Sequence, residues 1–293
     1  MPKRPLLLVN PRARRGESAQ SDAEECLRAR GLRPVKEEVT DRLAEVFQAH
    51  AGMVDSVVVA GGDGTLNSVL QHLIGIGLPL GILPLGTANN LARTLGIPAT
   101  LPDACDILPG GFRRPIDVGR VNDCYFFTTA SMGLSVEITE ALRSETKRRW
   151  GAFAYAVAAA RVLARSHPFH ADITWPGGQK HTRTVQIVVG NGRYYGSALP
   201  VAEDATIDDA RLDLYSLEVQ HWWELVGLAP ALKRGRHGDK RSVEALRSNR
   251  FTITTRAPLD INVDGEIRTR TPAELQVLPL ALEVFAPPPE GKK

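Results

Sequence analysis

Ser56-Val57-Val58-Val59-Ala60-Gly61-Gly62-Asp63-Gly64-Thr65-Leu66-Asn67 is the stretch whose reading decides the fold. Val57 to Ala60 is a short, apolar, mostly β-branched run, the composition of a strand buried on both faces. Gly61, Gly62 and Gly64 follow it, residues that permit positive φ and let foreign atoms approach the backbone closely. Thr65 stands where it can cap the amphipathic segment of Leu66, Val69, Leu70 and Leu73. A glycine turn between a buried strand and a helix start offers N–H groups and the positive helix end, the ingredients of a phosphate site. Asp63 would repel a phosphate there unless a cation or a hydrogen-bond donor stands between them. The loop has neither the lysine of G-x-x-x-x-G-K-[ST] nor the spacing of G-x-G-x-x-G. An ordinary tight turn with Asp63 bonded to its neighbours is the competing reading.

A second loop weighs against the tight-turn reading. Leu80 to Leu83 is another apolar run, and Pro84-Leu85-Gly86-Thr87-Ala88-Asn89-Asn90-Leu91-Ala92-Arg93 follows it. Strand, glycine, polar tip and helix recur. Two parallel strands joined by the helix after Thr65 put both polar tips at one carboxyl edge, where open α/β sheets bind ligands. Gly61-Gly62-Asp63-Gly64-Thr65 with Leu83-Pro84-Leu85-Gly86-Thr87-Ala88-Asn89 resembles the catalytic-domain signature of the diacylglycerol kinase and sphingosine kinase superfamily. The bacterial YegS/DgkB-type lipid kinases are the nearest match. Gly-Gly-Asp-Gly-Thr alone also occurs in NAD kinases; the pair of motifs is more specific.

Composition is compatible with that class. A chain of 293 residues has length for about two domains. Hydrophobic content of 43% and charged content of 24% are those of an ordinary globular chain. The net charge of +3, with Lys and Arg spread along the chain, gives no indication of a nucleic-acid partner. Cys26, Cys105 and Cys124 are widely spaced without a C-x-x-C pattern and read as free thiols of a reducing compartment. Met1 to Val9 is too short an apolar run for a signal peptide. Ala152 to Ala164 is short and broken by Arg161, so no membrane-spanning helix is expected. The expectation is a cytoplasmic protein, peripheral at most to a membrane.

In chain order, Leu6 to Val9 reads as a buried first strand, followed by Asn10-Pro11 and the basic Arg12-Ala13-Arg14-Arg15-Gly16. Ser21-Asp22-Ala23-Glu24 is a capping box starting or reinforcing a helix that stops at Gly31. Leu32 to Val39 reads as a second strand, with Thr40 or Asp41 capping a helix through Phe47. Alternating strands and helices predict a Rossmann-like parallel sheet. After Pro115 the texture changes to short strand-like runs punctuated by Gly, Pro, Asp and Asn, as at Pro176-Gly177-Gly178. They predict an antiparallel, β-sandwich-like domain interrupted by helices over Ser135 to Ala164 and His221 to Lys233. The fold class expected is therefore α/β plus β. The first domain covers residues 1–115, with 275–293 returning to it by resemblance, and the second covers 116–274.

Phosphoryl transfer needs an in-line hydroxyl, a group to take its proton, and cations on the phosphates. The resemblance implies ATP contacts at Asn10, Pro11, Arg12, Ala13, Arg14, Thr40, Gly61, Gly62, Asp63, Gly64, Thr65, Leu66, Asn67 and Thr87. The loop after Asn10-Pro11 departs from many relatives, which carry serine and glycine where this chain has Arg-Ala-Arg-Arg-Gly. Asp264-Gly265-Glu266 is a carboxylate pair that in isolation reads as a hairpin turn. Relatives carry Asp-Gly-Glu at this place, which implies Glu266 as general base and Asp264 as its partner or alternate. Asp63 then has a role, holding Mg²⁺ directly or through water. The stretch Thr206 to Leu212 resembles the family's Asp-Asp-Gly-x-Leu turn, with Ala210 replacing glycine. Carried over, a structural Mg²⁺ would take the Asp209 side chain and the carbonyls of Thr206 and Arg211.

Lys147-Arg148-Arg149-Trp150 heads a segment with Phe153 and Tyr155 that would either lie on an anionic bilayer or pack on the β domain. The resemblance thus implies an ATP- and Mg²⁺-dependent lipid kinase acting on a lipid hydroxyl at a membrane surface, in a cleft between the domains. An NAD kinase is the enzymatic alternative, and a non-catalytic lipid or nucleotide sensor the alternative from another class. The acceptor lipid and the oligomeric state are not written in the sequence.

Overall fold

The computed structural model describes residues 4–10, 16–137, 168–192, 194–195, 199–200, 206–218 and 243–288. Two compact units divide the chain, one of Met1–Val118 with Pro279–Lys293 and the other of Gly119–Leu278. The helices expected over Ser135 to Ala164 and His221 to Lys233 lie largely outside the described residues, and the Lys147 to Trp150 run lies wholly outside them.

The first unit alternates strands and helices: β1 (Pro5–Val9), α1 (Gly16–Arg28), β2 (Val35–Glu38), α2 (Leu43–Ala49), β3 (Ser56–Gly61), α3 (Asp63–Leu73) and β4 (Leu80–Pro84), then α4 (Asn90–Thr94) and α5 (Leu101–Gly110). β1, β3 and β4 are buried at every position, as runs such as Val57-Val58-Val59-Ala60 require when helices cover both sheet faces. Their order is β2-β1-β3-β4, every pair parallel, so each connection must cross over, and the helices are those crossovers. Leu108 of α5 reaches over Gly81 of β4 so closely that a Cβ there would meet its Cδ2 at 2.7 Å.

Three local expectations give way to packing. Leu32 donates its N–H to the Leu27 carbonyl, closing α1, and Pro34 has no N–H, so β2 starts only at Val35. Ser21-Asp22-Ala23-Glu24 lies inside α1, which already runs from Gly16. Thr40 does bond near the start of α2, but to the N–H of Arg42, which is itself the N-cap residue.

In the second unit, among the described residues, the strands of the two sheets pair antiparallel. Its strands are β5 (Arg113–Val121, entering from the first unit), β6 (Cys124–Phe126), β7 (Thr129–Gly133), β8 (Phe169–Trp175), β9 (Gly178–Thr184), β10 (Gln186–Gly190), and the two-residue β11 (Tyr194–Tyr195) and β12 (Leu199–Pro200). β13 (Leu212–Leu217), β14 (Val243–Ser248), β15 (Arg250–Thr255), β16 (Asp260–Val263), β17 (Glu266–Arg270) and β18 (Ala273–Phe285) follow. One sheet runs β14-β13-β10-β7-β16-β17; β9, β8, β15 and the first residues of β18 form the other. Ala130, Met132, Ile187, Val189, Leu214 and Ile261 of the first meet Ile173, Phe251, Ile253 and Leu275 of the second in one apolar core. Strict alternation along Arg250-Phe251-Thr252-Ile253 is the mark of a strand with one face in that core. Truncating Met132, Ile173, Ile187, Leu214, Ile253, Ile261 or Leu275 to Ala costs about 2–5 kcal/mol.

β18 runs on from the second unit into the first, where Val284 pairs in parallel with Leu80 of β4. Within the first unit Arg113 pairs with Glu283 at 3.1 Å and lies over the Phe285 ring at 5.3 Å.

Candidate active site

Register places the site. Val9 is level with Glu38 on one side and Ala60 on the other, and Gly61 is level with Pro84. Four parallel strands therefore bring Thr40, Asn10, Gly61 to Thr65, and Gly86 with Thr87 to one carboxyl edge. Thr40 and Thr87 are exposed there, and Asn10, Gly62, Asp63 and Gly64 are half-buried. Pro11 to Arg14 lie outside the described residues.

Close approach, and not positive φ, explains the glycines: none of Gly61, Gly62 or Gly64 lies in the left-handed region. A Cβ on Gly86 would come 2.5 Å from the Gly62 Cα, and one on Gly62 would come 3.0 Å from the Gly86 Cα. The two loops thus touch backbone to backbone, with the Leu85 N–H donating to the Gly61 carbonyl at 3.0 Å. A Cβ on Gly61 would strike Thr65 at 2.7 Å, because the first turn of α3 folds directly back over it. Both motifs exist for one another.

The helix begins three residues earlier than expected. Gly62, with φ −103° and ψ −174°, is the N-cap of α3 and Asp63 its first residue, so Thr65 caps nothing. Its buried hydroxyl instead accepts a hydrogen bond from Asn10 Nδ2 at 2.9 Å, joining the tip of β1 to α3. Asp63 sits in the first turn, where the positive helix end suits a carboxylate. Its Oδ1 accepts from the Leu91 N–H of α4 at 3.4 Å, a long bond that places a donor beside it. Leu66 and Asn67 are buried, 2% and 0% exposed, so they support the loop from within.

Asp264 and Glu266 share one turn of the second unit. β16 and β17 form a hairpin with Val263 opposite Glu266, and the two turn residues Asp264 (φ 48°) and Gly265 (φ 98°) both have positive φ. That is the backbone for which Asp-Gly is suited. The Asp264 Oδ2 accepts from the Phe127 N–H at 2.7 Å; Oδ1 accepts from the N–H groups of Thr128 and Thr129, at 3.0 and 2.9 Å, and from the Thr128 hydroxyl. Asn262 Oδ1 accepts from the Gly265 N–H at 2.8 Å. Glu266 is bonded differently. Its side chain is 41% exposed, and Oε2 lies 2.6 Å from the Arg268 guanidinium.

In the turn before β13, Asp209 Oδ1 accepts from the Arg211 N–H at 3.1 Å, and Ala210 takes φ 57°. Ala210 thus adopts the conformation that glycine favours, at a cost of about 1–2 kcal/mol. The turn supplies one carboxylate and backbone carbonyls, a donor set suited to a hard cation. Among the described residues no group of three or more His, Cys, Asp or Glu gathers as a metal cluster.

Sequence reasoning missed the cradle at Phe127 to Thr129 and the part Asn191 plays in it. The Asn191 N–H bonds the Thr128 carbonyl at 2.8 Å and its side-chain amide bonds that of Phe127 at 3.1 Å, so this residue shapes the cradle. Asp117, 1% exposed, was also passed over; it accepts from the N–H of Leu280, a residue at φ 49°. An aspartate inside the apolar run Ile116-Asp117-Val118 was its one sequence signal.

Comparison with known proteins agrees with both units. Residues 4–121 match the family described as the diacylglycerol kinase catalytic domain. Residues 128–286 match the YegS C-terminal NAD kinase beta sandwich-like domain. A diacylglycerol kinase of Bacillus subtilis is 30% identical over 236 residues, covering 80% of this chain and 78% of that one. A diacylglycerol kinase of Mycobacterium tuberculosis is 31% identical over 243 residues, covering 80% and 77%. A crystal structure of a diacylglycerol kinase from Bacillus anthracis has the same fold, with a TM-score of 0.79 over 98% of each chain at 23% identity.

Proposed function

The chain belongs to the diacylglycerol kinase family of lipid kinases, and from that premise we propose that it transfers the γ-phosphoryl group of ATP to the hydroxyl of a lipid, diacylglycerol being the first acceptor to test. The observation that carries the nucleotide half of this reading is the Gly62–Gly86 contact, which fuses two strand tips into one surface edged by Asp63 and Thr87. Backbone N–H groups of the first turn of α3 would face a phosphate bound there, and Thr87, Thr40 and Asn10 would supply neutral hydrogen-bonding groups around it. Bound Mg²⁺ would neutralise charge on the phosphates. Asp63 is the carboxylate that would hold it, and Asp209 with the carbonyls of Thr206 and Arg211 would hold a second, structural ion.

Glu266 is the base in this reading. A loose transition state makes the hydroxyl proton easy to lose, so an ordinary carboxylate suffices if it is well placed. To accept that proton Glu266 has to exchange its Arg268 contact for the lipid hydroxyl. Asp264, surrounded by donors, keeps the turn in position and leaves the chemistry to Glu266. The acceptor belongs to a bilayer, so the enzyme works peripherally at a membrane surface.

Purified protein, Mg·ATP labelled in the γ-phosphate, and vesicles carrying diacylglycerol or a panel of other hydroxylated lipids test the proposal. Label is expected in a lipid product, and Glu266→Gln is expected to lower its rate of appearance by about 10²–10⁴-fold. Label transferred to NAD and to no lipid would establish the NAD kinase reading; ATP binding with no transfer to any acceptor would establish a sensor.

A further inference from the structure

Away from that site, two of the three cysteines meet between α1 and α5 of the first unit. Cys26, half-buried near the end of α1, lies with its Sγ 4.0 Å from the Leu101 carbonyl. Leu101 stands one helical turn before Cys105 in α5, so both thiols lie along the same α1–α5 contact. Arg30 ties the two helices together at this point. Its guanidinium donates to Asp106 Oδ1 at 2.6 Å and to the Pro102 carbonyl at 2.8 Å on α5. On α1 it donates to the carbonyl and the Sγ of Cys26, both at 3.0 Å. Cys26 also borders an open cavity of about 580 Å³ with Asp22, Glu25, Ala29, Thr100 and Pro102, whereas Cys105 is wholly buried. Burial and the neighbouring thiol push Cys105 up, and its burial leaves Cys26 as the thiol a dissolved oxidant meets first. Cys124 belongs to the second unit and has no part in this arrangement.

We propose that Cys26 and Cys105 are a peroxide-responsive thiol pair, Cys26 the thiol attacked first and Cys105 the one that resolves it into a disulfide joining α1 to α5. The Cys26 sulfur attacks one oxygen of a hydroperoxide; the O–O bond breaks, the sulfur becomes a sulfenic acid, and water or an alcohol leaves with the thiol proton. Arg30 holds that sulfur and stabilises negative charge developing on it. The Cys105 sulfur then attacks the sulfenic sulfur; an S–S bond forms, the S–O bond breaks, and the hydroxyl leaves with the Cys105 proton as water. Two electrons pass from the two thiols to the peroxide, and a dithiol reductant reverses the change.

The test treats the whole protein with hydrogen peroxide, quenches with an alkylating reagent, and reads thiol count, peptide masses and melting temperature. Expected are the loss of two of the three thiols, a Cys26–Cys105 peptide lighter by two hydrogens, and a rise in melting temperature that dithiothreitol abolishes. Cys26→Ser should retain the fold and lose the cross-link and the temperature shift together, which keeps the test decisive should Cys105→Ser fail to fold. Cys26 accumulating as sulfinic acid without a cross-link, a disulfide that includes Cys124, or all thiols surviving peroxide would each overturn the proposal.

Discussion

Replacing Asp264 by Asn tests whether the amide cradle at Phe127 to Thr129 fixes the turn that carries Glu266. Asn matches Asp in shape and tolerates φ 48° at least as well, so the backbone contribution nearly cancels. What changes is the donor and acceptor count. With its oxygen on the Oδ1 side, Asn still accepts from Thr128 and Thr129, but as a neutral group. Its NH₂ then confronts the Phe127 N–H, which Oδ2 accepted at 2.7 Å. Each bond to a charged acceptor is worth about 1.5–3 kcal/mol against about 0.5–1.5 for a neutral one, and a stranded donor costs about 1–3. Discounted for partial exposure, the sum is about 2–4 kcal/mol. Trp150, Trp175, Trp222 and Trp223 all belong to the second unit, so tryptophan fluorescence during urea unfolding reports on that unit selectively. At about 1–3 kcal/mol per molar urea, the midpoint should fall by roughly 1–2 M. Asp264→Ala should fall further, having lost every acceptor and gained strain at positive φ. An unchanged midpoint in Asp264→Asn would refute the idea that these amides hold the turn.

Glu266→Gln should lower the rate of lipid phosphorylation by about 10²–10⁴-fold, with the fluorescence-detected midpoint unmoved because the side chain is half exposed. Gly86→Ala drives a methyl to 2.5 Å from the Gly62 Cα. It should cost about 1–3 kcal/mol and weaken ATP binding, measurable by calorimetry, far more than Gly110→Ala, whose added Cβ meets nothing and whose backbone is not left-handed. Ala210→Gly relieves the left-handed residue before β13, so the gain should be about 0.5–1 kcal/mol, visible as a raised melting temperature. The Arg30 guanidinium holds the Asp106 carboxyl below its ordinary value. Stability from that pair is therefore full above the unfolded carboxylate range and lost as pH falls through the lowered folded value. The melting-temperature gap between wild type and Asp106→Asn should accordingly be open at pH 6 and closed in strong acid.

The legible part of this fold is the part written in side-chain chemistry. Val57 to Ala60 and Leu80 to Leu83 announce buried parallel strands because no polar residue interrupts them, and Asp264-Gly265 announces a hairpin because both residues tolerate positive φ. β9 was harder to read. Gln179-Lys180-His181-Thr182-Arg183-Thr184 shows no apolar alternation, since its inward positions are threonines, Thr182 and Thr184, buried without being aliphatic. The amide cradle was invisible for a different reason. Phe127, Thr128 and Thr129 act through main-chain N–H groups that every non-proline residue carries, and only tertiary structure shows which amides converge on a carboxylate. The glycines of the two loops were recognised as special, but the reason, one backbone resting on another, needed the register of β3 against β4.

The parallel pairing of Val284 with Leu80 sets an order of events on the ribosome. Thr94, where α4 ends, is synthesised roughly 190 residues before Val284, an interval of about 10–40 s at ordinary translation speeds. Throughout that interval β4 has its partner β3 on one side and an uncovered hydrogen-bonding edge on the other, the kind of edge to which stray strands add. A nascent chain of this protein is thus at its stickiest while the second unit is being made, and slowing translation between codons 95 and 279 should raise its demand for chaperones more than the same slowing before codon 80.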